Sequence, residues 1–196
     1  MSGPRPAKTE RTRERIQLAT AALFIENDAI ELITFKAVAQ RAGVAEMTVF
    51  RYFPTREALL RGLWEHLERR LGDSLGMPHG EQELRDEQRE LFRLFDTVPS
   101  QVLASLATPE GRAIRAASNH RRRAAFLSIV SEVAHGLSTP EKTRAAAVLQ
   151  LLHSAYAWAA LREHWGVSGD ESGKATLWAI DSLLSDLKRK ANKTRR

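Results

Sequence analysis

Apolar positions recur at spacings of three and four along almost the whole chain, while alternation at every second residue is nearly absent. That pattern predicts an all-α protein of about nine helices. Ile16, Ala19, Ala22 and Leu23 share one face of a helix from Thr9 to about Glu26, which Asn27-Asp28 closes. Thr34 is placed to cap a short helix from Phe35 to Ala42, and Gly43 to stop it. A second short helix runs from about Ala45 to Phe53 and ends before Pro54. Thr55 caps the next, which carries Leu59, Leu60, Leu63, Trp64, Leu67 and Leu71 to about Leu75. Gly76, Pro78 and Gly80 mark a loop, the best boundary between two lobes.

Beyond that loop, Leu84, Leu91 and Leu94 predict a helix from Glu83 to Phe95, and a short one follows Pro99. Thr108-Pro109-Glu110 and Thr139-Pro140-Glu141 each combine a cap, a proline at the first helical position and an acid in the first turn. They open helical stretches to about His135 and to about Trp165. Gly166 to Gly173 reads as a loop, and a last helix reaches about Arg189.

Two short helices joined by a turn of three or four residues fit a helix-turn-helix over residues 34–53. Ala39 is small where the helices cross, and Gly43 allows the positive φ of the turn. Val38, Val44 and Val49 face a small core. Glu46, Met47, Thr48, Phe50, Arg51 and Tyr52 remain for the outer surface of the second helix, the kind of surface that enters a major groove. A helical hairpin with glycine in its turn also occurs in folds that bind no DNA.

The particular residues go further. Val38-Ala39, Ala42-Gly43-Val44, Thr48-Val49-Phe50-Arg51-Tyr52-Phe53 and Arg56-Glu57-Ala58-Leu59-Leu60 resemble the TetR family of bacterial transcriptional repressors. Ile16, Ala19-Thr20-Ala21-Ala22 and Leu23-Phe24 are similar to that family's first helix. The resemblance is strong over about residues 12–64 and elsewhere extends only to helical layout. It implies that Thr34 and Lys36 stand near phosphates, and that Ala45, Glu46, Met47 and Thr48 meet base edges and the adjoining backbone. It also implies that Phe50 and Tyr52 pack against or bond the sugar-phosphate, and that Arg56 reaches a phosphate from the fourth helix. Three positions depart from the family. Ala45 replaces a common serine, Phe50 a common tyrosine, and Ala29 the usual glycine after the first helix. The first two each remove a hydrogen bond of ~1 kcal/mol, for which Arg51 and the N-terminal arginines can compensate. Glu46 has two readings: its carboxylate accepts from cytosine N4, or it complements the helix N-terminus. Met47 and Thr48 offer apolar contact to a thymine methyl.

Charge sharpens the division of the chain. The formal net charge is +6, from +3 over residues 1–70, −3 over 71–187 and +6 over 188–196. Arg5, Lys8, Arg11, Arg13 and Arg15 form a basic arm leading into the first helix, suited to phosphates. Lys188, Arg189, Lys190, Lys193, Arg195 and Arg196 read as a solvated tail or a second nucleic-acid arm. The expected organisation is therefore a basic arm and three-helix DNA-binding domain over 1–54, a helical ligand-binding and dimerisation domain over 55–187, and a disordered tail over 188–196.

The C-terminal lobe has a helix that is apolar almost all round, from Ala145 through Leu161, and a last helix with the stripe Leu177, Ile180, Leu184 and Leu187. Such helices need cover on both sides, from symmetry mates in a four-helix dimer interface or within a monomer. Leu152, Tyr156, Leu177, Ile180 and Leu184 are the candidate interface residues. Trp64, Phe92, Phe95, Leu103, Phe126, Ile129 and Trp158 line a candidate effector cavity, or else are plain core. His120 and Arg121 to Arg123 read as an anion-attracting group or a solvated face. His153, set in the apolar helix, reads as a core, interface or ligand residue.

Absences limit the alternatives. The chain has no cysteine, which excludes disulfides, thiolate metal sites and cysteine nucleophiles. No apolar run reaches the ~20 residues of a membrane span, and the N-terminus lacks a signal-peptide core, so a cytoplasmic protein without a membrane partner is expected. No histidine stands three or four residues from another, so the paired signature of helical metal enzymes is missing and no cofactor is implied. The expected function is a homodimeric, sequence-specific regulator, a repressor released from a palindromic double-stranded operator by a small apolar or amphipathic effector. A nonspecific architectural DNA-binding protein is the alternative.

Overall fold

The computed structural model describes residues 5–27, 29–74 and 77–194. Pro4, Asp28, Gly76, Arg195 and Arg196, and the side chains of Arg5, Pro6, Lys8 and Leu71, lie outside the described residues. Eleven α-helices and one 3-10 turn form among them, more than the nine expected. They are α1 (Arg5–Asn27), the turn Ile30–Leu32, α2 (Phe35–Ala42), α3 (Glu46–Tyr52), α4 (Arg56–Ser74), α5 (Glu81–Thr97), α6 (Pro99–Ala107), α7 (Pro109–Ala117), α8 (Asn119–Val133), α9 (Thr139–Leu152), α10 (Ala155–Trp165) and α11 (Gly169–Thr194).

The chain divides into two compact units. The first runs to Ser74 and adds Leu103–Ile114; the second takes the rest, so the division falls within α6 and α7. In the first unit Ile16, Phe24, Ile33, Val38, Val49, Phe53, Leu59, Leu63 and Trp64 pack into one buried core, with Ala104 and Ile114 against it. Buried Gln17 fastens α1 to α4: its Nε2 donates to the Gly62 carbonyl at 3.0 Å, and its Oε1 accepts from Arg69 at 3.2 Å. The compact unit therefore runs on to Ser74, past the expected boundary at 54/55. The apolar stripe of α4 that would have opened the second domain is buried in the first.

In the second unit Leu84, Phe126, Ile129, Val130, Leu149, Ile180 and Leu184 are buried together. Helices α5 and α11 make its most extensive pairing. Asp170 of α11 accepts from Lys174, Arg93 and Arg89, which hold its carboxyl far below the usual carboxylate range. Gly169 sits so close to α5 that a Cβ there would lie 2.2 Å from the Phe92 carbonyl oxygen.

Four expectations about segments change here. The stretch from Pro109 to His135 breaks at Ser118, whose backbone N–H bonds Arg115 O as a tight turn. The stretch from Pro140 to Trp165 breaks at His153 and Ser154. Ser154 is extended, caps α10 by accepting from Ala157 N, and donates to Leu151 O at 2.6 Å. Serine thus satisfies backbone groups that a continuous helix would have paired, a competition invisible to an apolar pattern. Gly169 to Gly173 is helix rather than loop, its glycines serving close packing. Lys188 to Lys193 continue α11 and do not form a disordered tail; Lys188 bonds Glu81 at 2.7 Å, and Asp186 bonds Lys190 at 2.8 Å.

Candidate nucleic-acid interface

The turn between α2 and α3 sets the geometry. Thr34 caps α2, its Oγ1 accepting from Ala37 N at 3.1 Å. Gly43 ends that helix at φ 62°, the left-handed region that favours glycine. Val44 N then donates to Ala39 O at 3.0 Å, which is feasible because Ala39 is small and buried. Val49 is fully buried and anchors α3 against the core. As expected, Ala45 starts α3 without a side-chain cap.

Anchoring by Val49 leaves the opposite face of α3 in solvent. Met47 is 77% exposed, Phe50 is 40% exposed, and Glu46 and Arg51 are exposed. Thr48 and Tyr52 are half-buried. Lys36 projects from the first turn of α2, exposed. The Arg51 guanidinium lies 5.5 Å from the Tyr52 ring centre. The Phe50 ring stacks on Phe35, a residue to which the sequence pattern assigned no role. Arg56, at the start of α4, donates from Nη2 to the Ile30 carbonyl at 2.7 Å. Arg41 pairs with Glu26 through both guanidinium nitrogens, Nη1 to Oε2 at 2.9 Å. Neither the Ile30 nor the Glu26 partnership carries a spacing signal, because both join elements across a loop. Of the basic arm, Arg11, Arg13 and Arg15 are exposed, and Arg13 sits 4.8 Å over the Phe53 ring.

The seven candidate effector residues are divided between the two units. Trp64 belongs to the first unit's core, edge-on to Phe24 at 5.5 Å, and Leu103 is a 41% exposed residue of that unit. In the second unit Phe92, Phe95 and Trp158 form a buried aromatic group, with Trp158 Nε1 donating to Asp96 at 2.9 Å. Phe126 and Ile129 belong to a separate apolar core. Beside these, α5 and α11 form an open groove of about 540 Å³ lined by Arg89, Lys174, Leu177, Trp178, Asp181, Ser182 and Ser185.

Of the candidate dimer residues, Ile180 and Leu184 are fully buried within the subunit and so cannot meet a mate. Apolar periodicity finds the inner stripe of α11 and takes it for the outer one. Leu152 and Leu177 are half-buried, and Tyr156 is 48% exposed beneath Arg115. The exposed apolar side chain of the outer face is Trp178, at 74%.

His153 is held in a buried polar chain. Gln88 Nε2 donates to Leu152 O and to Thr176 Oγ1, so Gln88 Oε1 accepts from His153 Nδ1 at 2.6 Å. Burial pushes the imidazole pKa down to about 4. Arg121 donates to Ser118 Oγ, and Arg122 to Arg115 O. Glu132 and His135 stand at Glu-x-x-His spacing, but among the described residues no group of three metal-ligating side chains forms. Among the same residues, no helix is long and apolar enough to cross a membrane.

Comparison with known proteins agrees with this geometry. Residues 16–63 match the model of the bacterial regulatory proteins of the tetR family. The fold is similar to that of a tetR-family transcriptional regulator from Streptomyces coelicolor, with TM-score 0.68 at 16% identity over 94% of this chain and 90% of that one. It is similar to Salmonella enterica GusR, with TM-score 0.62 at 18% identity over 96% and 98% of the two chains. It is also similar to Thermus thermophilus FadR, a TetR-family repressor in complex with lauroyl-CoA, with TM-score 0.56 at 23% identity over 86% and 92%. No curated protein sequence matches the chain significantly.

Proposed function

The chain belongs, through residues 16–63, to the tetR family of bacterial regulatory proteins, and from that premise we propose that it is a homodimeric, sequence-specific repressor released from a palindromic operator by a small effector. One observation carries the reading. Gly43 turns the chain so that buried Val49 aims Glu46, Met47, Phe50 and Arg51 outward from a single short helix. That surface enters the major groove, where Met47 meets a thymine methyl and Glu46 accepts from cytosine N4. Lys36 and Arg51 neutralise phosphates. Thr34 accepts from Ala37 N and so keeps its hydroxyl proton for a phosphate oxygen, while Ala45, Thr48 and Tyr52 lie along the adjoining backbone.

The second copy covers the outer face of α11, where Trp178 and Leu177 line the groove, and exposed Tyr156 of α10 adds to the contact. The effector is apolar or amphipathic and enters the second unit among Phe92, Phe95 and Trp158, with Phe126 and Ile129 as further apolar surface. FadR, a protein of the same fold, binds lauroyl-CoA, which supports an amphipathic class. Release follows if the effector prefers a dimer whose recognition helices no longer match grooves ~34–36 Å apart.

Selection of genomic fragments on the purified protein at near-physiological salt tests this reading. A twofold-symmetric enriched sequence is expected. Enrichment of nothing beyond bulk DNA, with a steep salt dependence, overturns it in favour of architectural binding.

A further inference from the structure

Four cations surround the helix-turn-helix, and their partners divide them. Arg41 at the end of α2 grips the Glu26 carboxylate near the end of α1 with both guanidinium nitrogens. Two of its donors are spent on that carboxylate. Arg56 donates to the carbonyl of Ile30, the first residue of the 3-10 turn, and stands next to Glu57. Arg56 thus ties the 3-10 turn to α4 through Ile30, while Arg41 ties the end of α2 to the end of α1 through Glu26. Ile33, at the end of the 3-10 turn, is buried in the core immediately before the Thr34 cap. This segment decides where α2 begins, and α3 follows α2 through a fixed turn. Lys36 and Arg51, in contrast, are exposed and have no carboxylate partner among the described residues.

We propose that these cations have separate tasks: Lys36 and Arg51 neutralise DNA phosphates, whereas Arg41 and Arg56 are positioning residues, Arg41 tying α2 to the end of α1 and Arg56 tying the Ile30–Leu32 turn to α4. The proposal rests on the DNA-binding reading and reassigns Arg56, which the family resemblance places at a phosphate. The physical distinction is measurable. A phosphate contact releases condensed counterions when it forms, so removing it lowers the slope of log affinity against log salt by ~0.9. A positioning residue changes how well the surface is presented without changing how many phosphates it neutralises.

The experiment titrates a 30-base-pair duplex of random sequence with the full chain at several sodium chloride concentrations. K36Q and R51Q are expected to lower the slope by ~0.9 for each phosphate no longer neutralised. R41Q and R56Q are expected to weaken binding and lower the melting temperature while the slope holds. The double reversal E26R with R41E re-forms the ion pair between α1 and α2, and is expected to recover most of the affinity that R41E alone loses. A lower slope in R41Q or R56Q, an unchanged slope in K36Q and R51Q, or a double reversal no better than R41E overturns the proposal. A wild-type chain that binds neither this duplex nor any genomic fragment refutes the DNA-binding reading itself, an outcome distinct from all of these.

Discussion

The rings of Phe35 and Phe50 lie stacked, their centres 4.0 Å apart and their planes within 2° of parallel. Phe35 opens α2 and Phe50 belongs to α3, so the stack ties the outer face of the recognition helix to the turn that bears Thr34 and Lys36. A pair of aromatic rings contributes ~0.5–1.5 kcal/mol beyond its buried area. F35A is expected to lower stability by about that much and DNA affinity ~5–10-fold, as the recognition helix loosens. F50Y keeps the stack and adds a hydroxyl toward the sugar-phosphate, worth ~1 kcal/mol or roughly fivefold in affinity. Anisotropy titration of the enriched operator measures both. Unchanged affinity in both variants would mean that the rings do not help present α3 to DNA.

His153 makes stability depend on pH in a stated direction. Burial lowers its pKa from 6.5 to about 4. Between those values the unfolded chain binds a proton that the folded chain refuses, so stability is full above about pH 6.5 and falls as pH drops toward 4. The gap sets a ceiling of ~3 kcal/mol. Glu87 acts the other way, since burial, and then the neighbouring Glu83 charge, raise its pKa. Glu87 is common to both chains when wild type is compared with H153Q, so the difference isolates the imidazole. Urea unfolding at pH 7, 6 and 5 is expected to give a flatter profile for H153Q. Parallel profiles would show that His153 titrates alike in both states.

Trp178 and Ile180 stand two residues apart on α11, yet one is 74% exposed and the other fully buried. Their substitutions therefore separate assembly from stability. Light scattering of the wild-type chain is expected to give twice the 22.0 kDa subunit mass. W178E places a charge on the outer face and is expected to give the single mass with little change in melting. I180A opens a cavity instead, and is expected to cost ~2–5 kcal/mol while the folded fraction stays dimeric. A W178E chain that keeps the double mass moves the interface elsewhere.

The contrast along α11 also marks how far the sequence can be read. Local chemistry is legible: the Thr34 cap, the Gly43 turn and the start at Pro109 depend on residues a few positions apart, whereas α9 starts one residue earlier than expected, at Thr139, because Ser138 rather than Thr139 caps it in a reciprocal pair with Glu141. The recognition face follows from one anchored position, Val49. What does not follow depends on partners distant in sequence. The break at His153 is stabilised by Gln88, 65 residues away, and Gly169 serves the close approach of α5 rather than a loop. An apolar stripe states that a face is covered but not by what, so periodicity offers Ile180 and Leu184 to a mate although their own subunit buries them. Helix-spaced aromatics likewise report burial alone, so Phe92, Phe95 and Trp158 pack together while Phe126 and Ile129 belong to another core.

Gly62 offers the sharpest test of how α4 is seated. It lies within that helix, where glycine costs ~1 kcal/mol relative to alanine, so on propensity alone G62A should stabilise the chain. The packing argues the reverse. A Cβ at Gly62 would sit 2.5 Å from Phe53 Cε1 and 3.4 Å from Gln17 Nε2. Phe53 is 1% exposed and follows directly on α3, so its ring cannot swing away without disturbing the end of the recognition helix. Gln17 cannot retreat without giving up its bond to the Gly62 carbonyl. Overpacking of this kind costs ~1–3 kcal/mol and outweighs the gain in propensity. G62A is therefore expected to lower the melting temperature and to weaken operator binding, because the displaced Phe53 carries the end of α3 with it. The double variant F53L with G62A makes room for the new methyl group and is expected to melt above G62A alone. A G62A chain that melts higher than wild type would show that α4 is not pressed against Phe53.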